Sequence, residues 1–153
     1  MPTLNGTVVV QRPQQEVFDY IAQVGRHGEW SPKAWRVEGD PGPLTAGAKF
    51  TSYGWIPGDK QHKNEVEVTE CIPPSRVSWM AHEQGEPFIS TFILTPEGSG
   101  TKIDRTFEFP QPKGFVGVMF PLIKAAIVKP NFNKGLAMLK ERLDSGQEGS
   151  PQA

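Results

Sequence analysis

The stretch KGFVGVMFPLIKAAIVKPNFNKGLAMLKERL, residues 113–143, decides the fold of this chain. Its apolar residues recur every three or four positions, which is the spacing of one helix face. They are Val116, Phe120, Ile123, Ile127, Phe132, Leu136, Leu139 and Leu143. The sequence before this stretch has the pattern of short strands and turns. Because neither an amphipathic helix nor a sheet can bury its apolar face alone, we predict that the helix lies against the sheet and encloses a pocket.

Two prolines interrupt the helical pattern. A proline inside a helix removes a backbone donor and clashes with the carbonyl four residues earlier, at a cost of about 3 kcal/mol. Pro121 is therefore interpreted as a first-turn residue of the main helix, where proline is tolerated. No such position is available to Pro130, so a kink or break is predicted there. Two interpretations are open, a bend in a core helix or a mobile lid over a cavity.

Length and charge limit the class of protein. With 153 residues the chain predicts one domain, residues 1–144, followed by a small polar tail at 145–153 that we expect to be disordered. The net charge of −1 argues against nucleic acid as a partner and against electrostatic attraction to a membrane. Cys71 is the single cysteine, which fits a reducing compartment. Neither a signal peptide nor a membrane-spanning run is predicted, so we expect a cytoplasmic monomer or weak homodimer without stable membrane insertion.

Short strands and turns fill the chain before the long helix. A strand at 6–11 is followed by a helix that starts at Pro13 and ends near Gly25, and then by a short helical turn. Further strands are predicted at 36–38, 48–56, 61–72, 76–82, 88–95 and 101–109. The turns between them are short, so neighbouring strands should be antiparallel.

Alternation along these strands predicts which side chains face the helix. If Pro96 lies opposite Thr101, the last hairpin places Phe92 opposite Arg105 on a largely apolar inner face. The same test at the turn 73–75 places a second group on that face. The whole inner set is His62, Asn64, Val66, Val68, Val77, Trp79, Ala81, Phe88, Ser90, Phe92, Leu94, Ile103, Arg105, Phe107 and Phe109. The register of strand 48–56 leaves two choices open, with Phe50 and Ser52 inward favoured over Tyr53 and Trp55.

Arg105 is the outlier on this inner face. A buried charge is costly unless it is paired. Three interpretations are therefore open: a structural ion pair, an arginine that reaches an opening, or an anchor for an anionic or enolate oxygen of a ligand. His62 is either a base, if it reaches the cavity, or a histidine at the rim. The histidines show no metal-binding spacing, and neither a metal nor another cofactor is expected.

Four segments resemble the polyketide cyclase/dehydrase-like family of the START-like (SRPBCC) superfamily. They are VVVQRPQQEVFDYIAQVGRHGEWSP at 8–32, EVTECIPPSRVSWM at 67–80, FILTPEGSGTKIDRTFEF at 92–109 and GLAMLKERL at 135–143. The resemblance implies an α+β helix-grip fold with two short helices after the first strand. In that fold a curved antiparallel sheet of about seven strands wraps around a long C-terminal helix, with a hydrophobic cavity between them.

The resemblance leaves the function open, because the superfamily includes lipid carriers, cyclases, hormone receptors and chaperone cofactors. We expect the domain to bind a small hydrophobic ligand, lipid-like or polyketide-like. One alternative is a cyclase or dehydratase without metal or nucleotide, in which Arg105 holds an enolate and His62 moves a proton. Another is a protein-interaction module related to chaperone cofactors. The predicted ligand-binding residues are Phe50, His62, Asn64, Val66, Trp79, Ser90, Phe92, Arg105, Phe107, Met119, Phe120, Ile123 and Ile127.

Overall fold

The computed structural model describes residues 2–39, 41–56, 58–82 and 87–146. Its strands are β1 (Thr3–Val10), β2 (Trp35–Glu38), β3 (Lys49–Ile56), β4 (Asp59–Ile72), β5 (Arg76–His82), β6 (Phe88–Glu97) and β7 (Gly100–Glu108). Its helical segments are α1 (Gln14–Ile21), a 3-10 helix (Val24–Trp30), α2 (Gly114–Ile123), a π turn (Lys124–Val128) and α3 (Lys129–Ser145). Most of the tail predicted to be disordered lies outside the described residues.

One curved, antiparallel sheet carries all seven strands in the order β1-β7-β6-β5-β4-β3-β2. The first strand therefore pairs with the last one, and Leu4 lies opposite Phe107. The long helix at the C-terminus and the two short helical segments after β1 complete an α+β helix-grip fold, as the sequence predicted.

The predicted parity of the sheet is confirmed. In the last hairpin Phe92 lies opposite Arg105 and Ser90 opposite Phe107, and in the central hairpin Val68 lies opposite Trp79. The open choice in β3 is settled by burial, because Phe50 and Ser52 are both buried. The main core combines sheet residues with Phe18 and Ile21 of α1 and with Leu139 and Leu143 of α3. The sheet residues named above that belong to it are Phe50, Val68, Trp79 and Phe92.

Several predicted boundaries are shifted. β1 starts at Thr3, and this includes Leu4, which is buried in a second core cluster with Phe132 and Leu136. Pro13 precedes α1 as its N-cap, and the helix ends at Ile21 rather than near Gly25. β5 has the predicted bounds.

The interpretation of Pro121 as the start of the main helix is wrong. The helix starts at Gly114, and Pro121 lies inside α2. No α2 residue is buried, so solvent can hydrate a carbonyl that the proline leaves without its helical donor.

Of the kink or break predicted at Pro130, the break is absent, because the helix continues through a wider π turn. The N–H of Lys129 donates to the carbonyl of Lys124, five residues earlier, which closes the π turn directly before Pro130. Because Pro130 has no N–H for the carbonyl four residues back, the wider winding accommodates the ring without ending the helix.

A glycine in β1 allows α3 to lie directly on the sheet. A Cβ at Gly6 would overlap Cδ1 of Leu136 and would come within 2.9 Å of Cε1 of Phe132. The side chains of Leu136 and Phe132 therefore occupy the space above Gly6. This close approach fixes the position of α3 over β1.

The long helix also differs from the sequence prediction in its capacity to span a membrane. The described residues contain one helix, Gly114–Ser145, that is long and apolar enough to cross a membrane by length and composition, although no membrane-spanning run is predicted from the sequence. Its second half, α3, buries Phe132, Leu136, Leu139 and Leu143 against the rest of the protein. A crossing of the bilayer by the whole helix would therefore remove α3 from the core.

Candidate functional site

Arg105 lies in the centre of the inner face of the sheet. It pairs with Phe92 on β6 and with Gly6 on β1. Its guanidinium carbon lies 4.9 Å from the ring centre of Phe132, 5.3 Å from that of Phe92 and 5.4 Å from that of Trp30. We call Arg105, Trp30, Phe92 and Phe132 the Arg105 cluster. It joins the sheet, the 3-10 helix and α3 around one positive charge.

The charge of Arg105 has no carboxylate partner among the described residues. Its Nε is buried and has no hydrogen-bond acceptor there. Burial lowers the pKa of the guanidinium to about 10, so the group is still charged at pH 7. The three rings attract the cation through their π faces but accept no conventional hydrogen bond. The structural ion pair considered from the sequence is therefore absent from the described part of the chain.

Other buried polar atoms on this side of the sheet also have no hydrogen-bond partner among the described residues. They are Nε1 of Trp30, Oγ of Ser90 and Oγ of Ser52. Ser90 lies opposite Phe107, two residues from Arg105 along β7, which places the two side chains about 7–8 Å apart on one face. Because buried polar groups are normally paired, these atoms indicate places where a ligand or water can bind.

His27 on the 3-10 helix lies next to this cluster. Its ring centre is 4.7 Å from that of Trp30 and 5.4 Å from that of Trp79, and its Nε2 lies 2.7 Å from the carbonyl oxygen of Ile21. Burial, helped by the charge of Arg105 and opposed by the hydrogen bond to Ile21, lowers the pKa of His27 to about 4. A carbonyl only accepts, so Nε2 carries the proton of a neutral ring at pH 7.

Sequence reasoning missed His27 and Trp30 as members of the site. The 3-10 helix is short and gives no helical or strand periodicity. The available signal was the clustering of a histidine and two tryptophans, His27, Trp30 and Trp35, within nine residues. Clustered aromatic side chains are also common in ordinary cores, so this signal alone does not distinguish a binding site from core packing.

His62 is far from Arg105 in the sheet. It lies near the start of β4, where Nδ1 is 3.1 Å from Oδ2 of Asp59. The row of paired residues through Arg105 crosses Phe92 and Val77 and reaches β4 at Cys71. That position is nine residues along β4 from His62, about 30 Å of strand. The structure does not bring together the two residues of the enzymatic hypothesis.

The other predicted site residues divide between the sheet and the helix. Phe50, Val66, Trp79, Ser90 and Phe92 are buried on the inner face, and Asn64 and Phe107 are partly buried there. On the helix, Phe120 packs with its ring centre 5.3 Å from that of Phe109. Met119 and Ile123 are partly buried, whereas Ile127 is 37% exposed. The helical half of the predicted lining is thus less enclosed than the sheet half.

The chain matches a known family over nearly its whole length. Residues 1–144 match the family described as polyketide cyclase / dehydrase and lipid transport. The chain belongs to this family. None of the curated proteins searched matches the chain.

Solved structures share the fold of this cyclase and lipid-transport family member. A conserved protein from Geobacillus kaustophilus has a TM-score of 0.72 and 15% identity, with 95% of this chain and 97% of that chain covered. The Aha1 dimer from Colwellia psychrerythraea has a TM-score of 0.68 and 14% identity, covering 96% and 99%. DynU16, from the dynemicin biosynthetic locus, has a TM-score of 0.64 and 16% identity, covering 94% of this chain and 48% of that chain. Family and fold together support a ligand-binding or cyclase-type function.

A surface cleft of about 230 Å³ lies between the 3-10 helix and α3 of this family member. It is lined by Glu29, Met138, Glu141 and Arg142, none of which is a predicted ligand-binding residue. Arg26 donates from Nε to Glu29 at 2.7 Å, and Arg142 lies 3.8 Å from it. Burial would raise the pKa of Glu29, but these arginines and Tyr20 outweigh it and lower that pKa.

The cleft lies one helical turn from the Arg105 cluster. Met138 follows Gly135 by three residues on α3, so both lie on the same side of the helix. A Cβ at Gly135 would lie 3.6 Å from Nη1 of Arg105 and 3.6 Å from the carbonyl oxygen of Trp30. Arg105 as a whole residue is partly exposed, although its Nε is buried. The guanidinium and the cleft therefore both lie along the seam between the 3-10 helix and α3.

Neither metal chemistry nor a reactive thiol has support at this site. In the described ranges, no three side chains of the His, Cys, Asp and Glu types come close enough to hold a metal ion. Cys71 donates to the carbonyl of Leu44 at 3.4 Å, and burial raises the pKa of its thiol, which disfavours the reactive thiolate. The expected absence of cofactors stays a prediction.

Proposed function

We propose that this domain binds a small hydrophobic ligand between the sheet and the C-terminal helix, with an anionic or enolate oxygen of the ligand against Arg105. The observation that carries the proposal is a buried guanidinium with aromatic rings on three sides and no carboxylate partner among the described residues. A charge in such a place is unfavourable for the free protein. An acidic head group would pair with it, and the surrounding rings would contact the apolar part of the ligand.

The ligand class follows from the neighbours of Arg105. Phe92, Trp79 and Phe107 surround this position with apolar side chains, whereas Ser90 and Nε1 of Trp30 carry hydrogen-bonding atoms without a partner among the described residues. A fatty acid and a polyketide-like enolate both have this combination of an apolar body and one acidic end. We extend the proposal to a cytoplasmic carrier that is a monomer or weak homodimer, uses no metal and binds no nucleic acid.

Substitution of Arg105 by Met tests the proposal. Met keeps an apolar stem and removes the charge. Oleate and oleyl alcohol have the same hydrocarbon chain but an anionic and a neutral head group, respectively. Displacement of the dye Nile red measures the binding of each. A charge-assisted contact contributes about 1.5–3 kcal/mol, so we expect Arg105→Met to weaken oleate binding about ten- to a hundredfold and to affect oleyl alcohol little.

Arg36→Met is the matched control. Arg36 is exposed, and its guanidinium lies 3.8 Å from the ring centre of Tyr53, so it is another arginine over an aromatic ring but away from the inner face. The Arg36→Met variant should bind both probes as the unmodified protein does. Arg105→Met should melt at an unchanged or higher temperature, because it removes an unpaired buried charge. A large fall in melting temperature together with equal losses for both probes would make Arg105 a structural residue and would contradict the proposal.

Native mass spectrometry of the purified protein provides an independent test. The proposal predicts a retained molecule with an acidic group and an apolar body. A retained neutral metabolite whose affinity is the same for Arg105→Met and the unmodified protein would count against the acidic-ligand proposal.

For the cyclase or dehydratase alternative, the separation of His62 from Arg105 removes the proton-transfer residue that the hypothesis used.

A further inference from the structure

Helix α2 carries an apolar surface that the described residues do not cover. Phe115 is 79% exposed, Val118 76% and Leu122 65%. These residues follow a spacing of three and four, so they share one face of α2. No α2 residue is buried. We call Phe115, Val118 and Leu122, with the half-exposed Val116, the α2 patch.

The charge along the segment that contains this patch is of one sign. Between Phe109 and Lys140 the sequence contains five lysines and neither aspartate nor glutamate, although the whole chain has a net charge of −1. Lys113 directly precedes α2, and Lys129 follows the π turn; both are exposed. The net charge, which argued against attraction to a membrane, therefore conceals a basic segment that coincides with the exposed apolar residues.

We propose that the α2 patch docks on an anionic lipid bilayer, with α2 lying in the interfacial plane. An exposed apolar helix face with lysines near both ends is the pattern of helices that lie at the boundary of head groups and acyl chains. The apolar side chains enter the acyl region, and the lysines contact anionic head groups, each contributing about a fivefold gain in binding.

A second copy of the chain fits this patch less well than a bilayer does. A symmetric contact through α2 would bring Lys113 and Lys129 of both copies together without an acidic residue between 109 and 140 to neutralise them. A bilayer crossing is also unfavourable, because Leu136, Leu139 and Leu143 of the same helix are core residues. Docking on the surface leaves α3 in place.

Vesicle co-sedimentation of the full chain tests this inference. We expect binding to vesicles of phosphatidylcholine with one-third phosphatidylglycerol, and at least tenfold weaker binding to vesicles of phosphatidylcholine alone. Phe115→Ser/Leu122→Ser should reduce binding to the anionic vesicles about tenfold or more, because two exposed apolar side chains lose their lipid contact. Lys113→Gln/Lys129→Gln should reduce it about tenfold or more and should also lower its sensitivity to salt.

Ile72→Ser/Ile93→Ser is the matched control, since both isoleucines are exposed but lie on β4 and β6, away from α2. It should bind vesicles as the unmodified chain does. Absence of vesicle binding, equal binding to both compositions, or equal losses in the control and the α2 variant would each overturn the inference. Self-association that Phe115→Ser/Leu122→Ser abolishes, without vesicle binding, would assign the patch to a second copy. Oleate binding in solution should persist in the α2 variant. A negative vesicle result would therefore overturn the bilayer inference without contradicting the proposed ligand site, which the Arg105→Met experiment tests.

Discussion

The two halves of the C-terminal helix have opposite surroundings. α3 buries Phe132, Leu136, Leu139 and Leu143, and it lies on β1 where Gly6 provides the space. α2 buries none of its residues, although its sequence, GFVGVMFPLI, is the more apolar of the two. Hydrophobicity alone thus fails to identify the structural half. The position of the sheet decides which half forms the core and which half is left for another surface.

Leucine-to-alanine substitutions should show the largest difference between the two halves in the free energy of unfolding. Leu139 is fully buried on α3, so Leu139→Ala should lower the free energy of unfolding by about 2–5 kcal/mol through lost burial and a residual cavity. Leu122 is 65% exposed on α2, and Leu122→Ala should change it by less than about 0.5 kcal/mol. Urea unfolding measures both values. Similar losses in the two variants would mean that α2 is covered in solution and would remove the contrast between the halves.

Acid should weaken the α3 side of the molecule through His27. The pKa of His27 is about 4 in the folded protein and about 6.5 when the residue is exposed, so the unfolded chain takes up the proton first. Its contribution to stability is therefore complete above pH 6.5 and is lost as the pH falls towards 4. The expected loss at pH 5 is about 2 kcal/mol.

His27→Gln provides the comparison for this pH effect, because glutamine offers a donor near the carbonyl of Ile21 and does not titrate. The difference between the two urea midpoints should change between pH 6.5 and pH 4, whereas the carboxylates act equally in both proteins. Hydrogen exchange should show α3 amides losing protection in the unmodified protein, since the 3-10 helix that carries His27 packs against α3. Parallel pH profiles for the two proteins would show that His27 is not buried in its neutral form.

The sheet was predictable because short turns fix both strand pairing and parity. Once Pro96 is placed opposite Thr101, the positions of Phe92 and Arg105 follow, and the exceptional charge among phenylalanines becomes visible in the sequence. The same argument identified Val68 and Trp79 as inner residues. In the last hairpin, a period of two leaves only one inner face once a single pair is correct. In β4 the register shifts between Val68 and Glu70, so the alternation holds only up to Val68.

The long helix and the 3-10 helix were less predictable for two physical reasons. An apolar stripe shows that a helix has a face to cover, but not what covers it, so Ile127 was placed in the lining although it is exposed. The π turn before Pro130 rotates one half of the helix relative to the other, and this breaks the single stripe expected from the sequence. His27 and Trp30 reach Arg105 through tertiary packing that no local pattern encodes.

One glycine in each half of the helix gives the smallest and most local comparison. A methyl group at Gly135 on α3 would have ordinary van der Waals contacts of 3.6 Å with Nη1 of Arg105 and Cδ of Pro32. Gly135→Ala should therefore raise the free energy of unfolding by about 0.5–1 kcal/mol, since alanine restricts the unfolded chain and favours a helix. A methyl group at Gly117 on α2 would overlap the carbonyl oxygen of Pro112, so the same substitution there should give no gain.

Melting curves of the two glycine variants measure this difference. A gain of 1 kcal/mol corresponds to about 2–4 °C in a protein of this size, which is within the precision of the method. Gly135→Ala also narrows the seam between the cleft and Arg105, so its oleate affinity shows whether ligands approach along that seam. Equal gains at both positions would show that the turn before α2 moves freely away from Pro112. In that case α2 would be held by its neighbours even less firmly than its exposed side chains indicate.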